Sequence, residues 1–177
     1  MNEVINGKVW LLGDDIDTDI IIPTQFLAMK TVEDMKKYAF YPLRPELPSL
    51  IKAGDIIVAG KNFGCGSSRE QAPEILKALG VRCVIAKSFA RIFYRNSFNN
   101  GLLLIENNEL PDLCSEGDSV SINLKNNEIY FEDKKFEIAA ITDELIKIIE
   151  IGGLVAFMKE RNKSNLEWRE DELWVIL

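Results

Sequence analysis

Histidine is absent from all 177 residues of the sequence. Its absence excludes every Ser-His and Cys-His catalytic mechanism, and every zinc site with a histidine ligand, within this chain. The commonest general acid or base is also missing. Any chemistry must therefore use Ser, Asp, Glu, Lys or Arg, or be completed by a second chain.

Cysteine is scarce, and its spacing is irregular. Cys65, Cys83 and Cys114 are odd in number, lie far apart and form no C-x-x-C pair, so neither a disulfide framework nor a metal knuckle is indicated. A cluster held by four thiolates would need one cysteine more. We expect no metal site and no cofactor in this chain.

Long apolar runs and a basic excess are missing as well. No run approaches the roughly 18 residues of a membrane span, and Met1-Asn2-Glu3 lacks the basic start of a signal peptide. The net charge of -7 argues against nucleic acid and anionic membrane surfaces as partners. We expect a cytoplasmic globular protein, which can still bind an acidic substrate where arginines are concentrated.

The middle of the chain alternates short apolar runs with helical patterns. The runs 55–59, 81–86 and 101–105 predict strands, and the segments 72–79 and 89–99 predict helices. Such alternation favours parallel strands with helices packed on them. The carboxyl ends of the strands would then share one edge, where open α/β sheets bind ligands.

The remaining segments give a mixed pattern. Residues 4–12 predict a first strand, and alternating apolar residues between 119 and 138 predict an antiparallel meander. Residues 142–150 and 154–161 predict two helices separated by a Gly-Gly break. The prolines of segment 36–48 predict an irregular connection whose aromatic side chains serve packing.

The stretch 60–71 reads Gly-Lys-Asn-Phe-Gly-Cys-Gly-Ser-Ser-Arg-Glu-Gln. Glycines let a backbone turn tightly and approach a ligand. We expect Ser67 and Ser68 to cap the following helix, whose first N–H groups favour an anion, and Arg69 to offer donors matched to a carboxylate. The alternative is an ordinary turn and helix cap. A dinucleotide fingerprint is weaker, because Arg69 occupies the third glycine position, and a Walker loop lacks its Gly-Lys-Ser/Thr.

Two further groups could lie near this loop. Lys87, Ser88 and Arg91 follow the next predicted strand, so they should reach the same edge of the sheet. Arg91 and Arg95 are four residues apart on a predicted helix. They form either a solvated helix face or part of a site.

Four aspartates crowd the segment before Ile20-Ile21-Ile22, which we expect to be a strand that ends at Pro23. Asp14, Asp15, Asp17 and Asp19 invite comparison with a calcium loop, but the helix, central glycine and terminal glutamate of an EF-hand are absent. The alternative is a turn in which aspartates bond their own backbone.

Gly66-Ser67-Ser68-Arg69-Glu70, with Asn-Phe-Gly-Cys before it and Ala-Lys-Ser-Phe-Ala-Arg-Ile-Phe at 86–93, resembles the signature of the aconitase-type hydro-lyases. The length and the opening at 13–23 resemble the branch whose swivelling domain is a separate small subunit, as in isopropylmalate isomerases. The similarity runs from about Gly7 to about Lys159. Gln71 stands where the family often has histidine.

The resemblance implies an α/β fold, namely the three-layer β/β/α swivelling domain of the aconitase type. It would combine a parallel βαβ part with an antiparallel hairpin part. We expect this domain over residues 1–160, and a C-terminal extension over 161–177 that carries Trp168 and Trp174.

The resemblance also implies reversible dehydration and rehydration of a hydroxy di- or tricarboxylic acid. Ser67 and Asp17 would be catalytic, with Ser67 as the base, and Arg69, Ser68 and Gly66 would bind substrate. A large iron-sulfur subunit would carry a [4Fe-4S] cluster that acts on the hydroxyl as a Lewis acid. The two chains would form a heterodimer or a heterotetramer.

Substrate choice is expected from the loop that follows Pro23. Relatives that act on a substrate with an extra carboxylate carry arginine at the position matching Ala28, whereas Leu27, Ala28 and Met29 offer apolar surface. This favours a branched alkyl substrate such as isopropylmalate. Homoaconitate, citraconate or methylmalate, and dimethylmalate remain alternatives, as does a non-catalytic anion-binding domain.

Overall fold

A computed structural model describes residues 4–163 of the chain. The strands are β1 (Val4–Leu11), β2 (Ile56–Ala59), β3 (Cys83–Ala86), β4 (Leu103–Glu106), β5 (Ser119–Asn123), β6 (Glu128–Phe131) and β7 (Lys134–Glu137). The helices are α1 (Thr18–Ile21), α2 (Val32–Met35), α3 (Leu47–Leu50), α4 (Gln71–Ala78), α5 (Arg91–Asn100), α6 (Leu110–Leu113), α7 (Asp143–Ile151) and α8 (Leu154–Lys163), with 3-10 turns at Thr24–Phe26 and Lys36–Tyr38.

The strands form one seven-stranded sheet in the order β4-β3-β2-β1-β5-β6-β7. Strands β1 to β4 are parallel, with Val9 opposite Ile56 and Ile57 opposite Val84. On the other side of β1 the pairs with β5, β6 and β7 are antiparallel. The predicted combination of a parallel part with an antiparallel part is therefore confirmed, and β1 joins the two.

Two apolar clusters separate three layers. One face of the parallel strands packs with α1 to α5, through side chains such as Ile57, Ile75 and Phe93. The opposite face packs with the antiparallel strands, where Val58 shares a cluster with Ile122. Because both faces of the parallel strands are covered, β2 and β3 are buried at every position, and this explains their continuous apolar runs.

The predicted strand at Ile20–Ile22 is wrong. Residues 18–21 form the short helix α1, and Asp17 caps it by accepting a hydrogen bond from the Ile20 amide over 2.7 Å. The β-branched isoleucines favoured a strand, but the carboxylate at the N-cap satisfies a helical amide, and the buried Ile21 packs against the helix layer.

The connection at 36–48 follows its prediction in outline, with a 3-10 turn and the start of α3 as its only regular parts within the described chain. Its aromatic residues serve packing. Phe40 is fully buried, and the Tyr38 ring stacks on Phe26 with centroids 4.1 Å apart.

At the C-terminal end, α8 continues to Lys163, past the proposed boundary at residue 160. Trp168 and Trp174 of the predicted extension lie outside the described residues. Within residues 4–163, none of the helices combines the length and the apolar character needed to cross a membrane.

Candidate active site at the carboxyl ends of the parallel strands

The loops that follow β1 and β2 are bonded to each other along their backbones. The Gly64 amide donates to the Ile16 carbonyl over 2.7 Å, and the Thr18 amide donates to the Cys65 carbonyl over 2.9 Å. The Thr18 hydroxyl also donates to the Ser67 carbonyl over 2.8 Å. These bonds fix the glycine loop, which we define as residues 60–70, against the aspartate turn, residues 14–19. The two segments are about fifty residues apart in sequence.

The β2 loop is bonded in the same way to the loop after β3. The Phe63 amide donates to the Ser88 carbonyl over 3.0 Å, and the Phe63 carbonyl accepts from the Ala90 amide over 2.9 Å. Gly64 has a φ of 78°, and a Cβ there would lie 2.1 Å from the Phe93 ring of α5. Only glycine allows the loop to lie this close to the helix.

A cavity of about 340 Å³ lies where the three loops meet. It is lined by residues of the segment 64–69, by Thr18, and by the start of α5 from Ala90 to Asn96. Its size suits a small-molecule ligand. The structure thus brings Gly66, Ser67, Ser68 and Arg69 together, as their sequence spacing predicts.

The two serines do not cap α4, so that prediction is wrong. The helix begins at Gln71 with Glu70 at its N-cap and no side-chain cap. The positive φ angles of Gly64 and Gly66 and the bond from Thr18 hold the chain in a loop until Arg69. Both serine side chains are therefore exposed to the cavity rather than bound to the helix.

Residues 67–69, which line the cavity, also have unpaired backbone amides. Within the described chain these amides, like the Ser67 and Ser68 hydroxyls, have no hydrogen-bond acceptor. Successive unpaired N–H groups in a glycine loop form a concavity that attracts anions. The loop can stabilise negative charge without help from the helix terminus.

Arg69 is fixed by Asp19, one of the four aspartates that precede Pro23. Its Nη2 donates to Asp19 Oδ1 over 2.7 Å and to Thr24 Oγ1 over 2.9 Å, and the Thr24 hydroxyl donates to Asp19 over 2.8 Å. The Arg69 side chain is only 13% exposed. Its Nε is buried and has no hydrogen-bond partner among the described residues. Arg69 therefore lines the cavity with one nitrogen of its guanidinium held by Asp19 and Thr24.

The charge of Asp19 follows from these contacts. The hydrogen bond from Thr24 lowers the pKa of the Asp19 carboxyl, partly opposed by burial, and the hydrogen bond and charge of Arg69 lower this pKa further. Asp19 is therefore ionised at neutral pH and neutralises Arg69 on one side.

Asp17, the aspartate predicted to be catalytic, lies beside the glycine loop. Its side chain caps α1, and a Cβ on Gly66 would be 3.4 Å from the Asp17 Cβ. Its cap role is structural, and its catalytic role stays a prediction. The alternative of a turn in which aspartates bond their own backbone describes the Asp17 cap, whereas Asp14 and Asp15 accept hydrogen bonds from Lys61 and Asn62 of the glycine loop.

The segment predicted to choose the substrate starts beside Arg69 but does not enter the cavity. Thr24 contacts Arg69, whereas Leu27 and Met29 pack partly against the helix-layer cluster and Ala28 is exposed. In the described part of the chain, none of the last three lines the cavity. Their predicted role in substrate binding stays a prediction.

Helix α5 contributes residues to the cavity whose role the sequence left open or did not indicate. Arg91 and Asn96 line the cavity, as does the half-exposed Ile92, while Arg95 does not. Lys87 is directed to Asp112 instead, over 2.6 Å. The order of strand, loop and helix placed Arg91 correctly, but neither Ile92 nor Asn96 carries a signal that separates it from an ordinary helix residue.

The cysteines do not assemble. Cys83 and Cys114 are buried, and burial raises the pKa of the Cys114 thiol to about 11. Burial, followed by the charges of Asp17 and Asp15, also raises the pKa of Cys65 at the edge of the glycine loop. Within residues 4–163 there is no group of three or more His, Cys, Asp or Glu side chains that could hold a metal ion.

Comparison with known proteins agrees with this architecture. Residues 15–110 match the family model described as the aconitase C-terminal domain. The matched range contains the aspartate turn, the glycine loop and α5, which together form the cavity. The chain belongs to the aconitase C-terminal domain family.

Relatives within this family have more specific names. The chain is 65% identical over 162 residues to a 3-isopropylmalate dehydratase small subunit of Lachnospira eligens, covering 92% of this chain and 98% of the relative. It is 42% identical over 163 residues to an isopropylmalate/citramalate isomerase small subunit of Methanocaldococcus jannaschii, covering 91% and 97%. A crystal structure of a 3-isopropylmalate dehydratase from that organism superposes with a TM-score of 0.83 at 42% identity, covering 90% of this chain and 95% of that one.

Proposed function

We propose that this chain is the small subunit of a hydro-lyase that interconverts 2-isopropylmalate and 3-isopropylmalate by dehydration and rehydration, a step of leucine biosynthesis in the cytoplasm. One observation carries the proposal. A chain that is 65% identical to a named small subunit over nearly the whole of that relative holds Ser67 and Arg69 together in one cavity.

In this proposal Arg69 binds a carboxylate of the substrate. Asp19 and Thr24 hold the guanidinium in place through Nη2, and the buried Nε is the donor that still lacks an acceptor in the described chain. A fixed guanidinium loses little side-chain entropy when it binds, and its planar donors match a carboxylate. Ser68 and the backbone at Gly66 complete the binding loop.

Ser67 would take the proton from the carbon beside that carboxylate. A free serine is too weak a base, so its alkoxide requires strong stabilisation. The unpaired amides of the glycine loop and the nearby Arg69 are the groups in this chain that can supply it. Asp17, close to Gly66, is proposed to belong to the same catalytic network.

The remaining chemistry is assigned to a large subunit. The three cysteines of this chain do not fit a [4Fe-4S] cluster, because Cys83 and Cys114 are buried in the core and Cys65 lies apart from them in the glycine loop. The cluster would therefore be held by the partner, where it supplies a Lewis acid for the substrate hydroxyl. Its Lewis-acid chemistry complements the proton transfer proposed for this chain.

A second substrate has specific support. One relative is named an isopropylmalate/citramalate isomerase small subunit, so a methyl-substituted acid is a candidate beside the isopropyl one. If the loop after Pro23 reaches the substrate as proposed, the uncharged Ala28 would disfavour the third carboxylate of homoaconitate.

Co-expression with an iron-sulfur large subunit from the same genome tests the proposal. The purified pair is assayed anaerobically for hydration of isopropylmaleate, citraconate, dimethylmaleate and homoaconitate, with each chain alone as the control. We expect activity only with both chains and the highest kcat/KM for isopropylmaleate. A stable pair that is inactive on all four acids would contradict the assigned substrate, and failure to pair would contradict the subunit role.

A further inference from the structure

Among the elements of residues 4–163, none covers one face of α5 beside the cavity. The helix packs on β4 and contacts α4, α7 and α8. Its outward stripe consists of Arg91, Ile92, Arg95 and Asn99, all exposed. Since these residues follow the helical repeat, they form one continuous surface along the helix.

The charges on this stripe lack counterions. Within residues 4–163, neither Arg91 nor Arg95 has a hydrogen bond or an ion pair with another side chain. By contrast, Arg44, Lys87 and Lys135 each pair with a nearby carboxylate. Two unpaired guanidiniums on a chain of net charge -7 form a local basic patch that favours an acidic surface.

Ile92 adds an apolar contact to the same stripe. Its side chain is 54% exposed and lies between the two arginines. A large apolar side chain flanked by arginines is typical of the centre of a protein interface, where arginine and apolar anchors are enriched.

The stripe is continuous with the mouth of the proposed active site. Arg91 and Ile92 line the cavity, so any chain that closes it must contact the start of α5. Under the proposed function a second chain completes the site, because the Lewis acid is assigned to the large subunit. A large subunit that closes the cavity would meet Arg91 and Ile92 at its rim, and Arg95 and Asn99 continue the same helix face.

We propose that the outward stripe of α5 is the docking surface for the large subunit, which presents carboxylates to Arg91 and Arg95 and an apolar pocket to Ile92. This inference rests on the proposed function, because it takes the large subunit as the partner. It adds the surface by which the two chains recognise each other.

Charge reversal tests the proposal. The double variant Arg91→Glu/Arg95→Glu, and separately Ile92→Asp, are compared with the wild type for binding to the purified large subunit by calorimetry at two salt concentrations. We expect each to raise the Kd at least about tenfold, with the charge effect larger at low salt. Thermal unfolding should be unchanged, because these side chains are exposed and have no partners in the described chain.

Matched controls lie at the opposite edge of the sheet. Lys52→Glu/Arg82→Glu changes the net charge by the same amount just before β2 and β3, and Leu50→Asp replaces a side chain that is 44% exposed on α3. These controls should bind the large subunit like the wild type. An effect equal to that of the α5 variants would overturn the proposal.

The outcomes separate this inference from the proposed function. If the wild type pairs and is active but the α5 variants keep its Kd, the docking surface is wrong and the function stands. If they keep the Kd but raise the KM for substrate, Arg91 serves the substrate instead, and the docking surface is again wrong. If the wild type forms no complex, both proposals fail.

Discussion

At the scale of single residues, Arg69, the proposed carboxylate ligand, is held in place by contacts within this chain. Asp19 and Thr24 restrain one nitrogen of its guanidinium, and the buried Nε keeps an unused donor. The sequence predicted Arg69 as an anion ligand from its place after the serines. It could not predict Asp19 as the partner, because the contact spans 50 positions and depends on how the two loops are bonded.

Asp19 should make the protein sensitive to acid. Its pKa is lowered from the ordinary value of 3.8, so the unfolded chain binds more protons than the folded one when the pH falls toward that value. The contribution of Asp19 to the free energy of unfolding is complete above this pKa and is lost as the pH falls through the lower, folded value. The difference in unfolding free energy between wild type and Asp19→Asn should therefore shrink below about pH 4.

Denaturant unfolding of the isolated chain between pH 2 and 7 measures this difference. Asp34→Asn is the control. The hydrogen bond from Thr31, followed by the contact with Lys37, also lowers the pKa of the Asp34 carboxyl. Asp34, however, does not line the cavity. In the complex, Asp19→Asn should raise the KM and Asp34→Asn should not. Equal KM values for the two variants would mean that Asp19 does not position Arg69.

Ser67 and Ser68 should differ in kinetics although they are neighbours. Ser67→Ala removes the proposed base and should lower kcat by about 100- to 10,000-fold, while Ser68→Ala should act mainly on KM. Neither should alter pairing with the large subunit, since both hydroxyls lack partners in the described structure. Steady-state kinetics of the purified complexes give both constants, and a near-normal kcat for Ser67→Ala would remove Ser67 from the mechanism.

At the scale of elements, the accuracy of the predictions depended on where the determining contacts lie. Strands β2 and β3 and helix α7 were predicted closely, because buried runs and the Thr142 cap are local signals. The short helix α1 was not, because its stability depends on the Asp17 cap and on Ile21 packing rather than on helix propensity. The start of α4 was predicted to within one residue, but its serine caps were not found, because non-local bonds hold the glycine loop away from the helix.

The loop after Pro23 is the element on which substrate choice can be tested. It starts at Thr24 against Arg69 and exposes Ala28, so Ala28→Arg adds a charge near the site without disturbing the core. We expect kcat/KM to shift at least about tenfold from isopropylmaleate toward homoaconitate, because the new guanidinium can pair with the extra carboxylate. Ala28→Gln adds length without charge and should leave the preference unchanged. An unaltered preference in Ala28→Arg would show that this loop does not reach the substrate.

At the scale of the whole molecule, β1 makes the parallel and antiparallel parts one body. It pairs with β2 on one side and β5 on the other, and Trp10 on β1 donates to the buried Asp55 carboxylate over 2.7 Å. The apolar cluster between the two β layers contains side chains of both parts. Because neither part can bury this face alone, we expect the described body to unfold in a single cooperative transition.

Among the residues that the structure describes, both apolar clusters are built from side chains that precede α8. A chain that ends after Lys163 should therefore fold, with a Tm within about 3 °C of the full chain, a shift that corresponds to roughly 1 kcal/mol at this size. Ending the chain after Gly153 instead removes α8 from its contacts with α5 and α7, so the Tm should fall further. Circular dichroism melting of the three chains makes the comparison. If the chain that ends after Lys163 is unfolded, residues 164–177 belong to the folded domain and the proposed boundary is wrong. If this chain folds and still pairs with the large subunit, the extension serves neither folding nor docking.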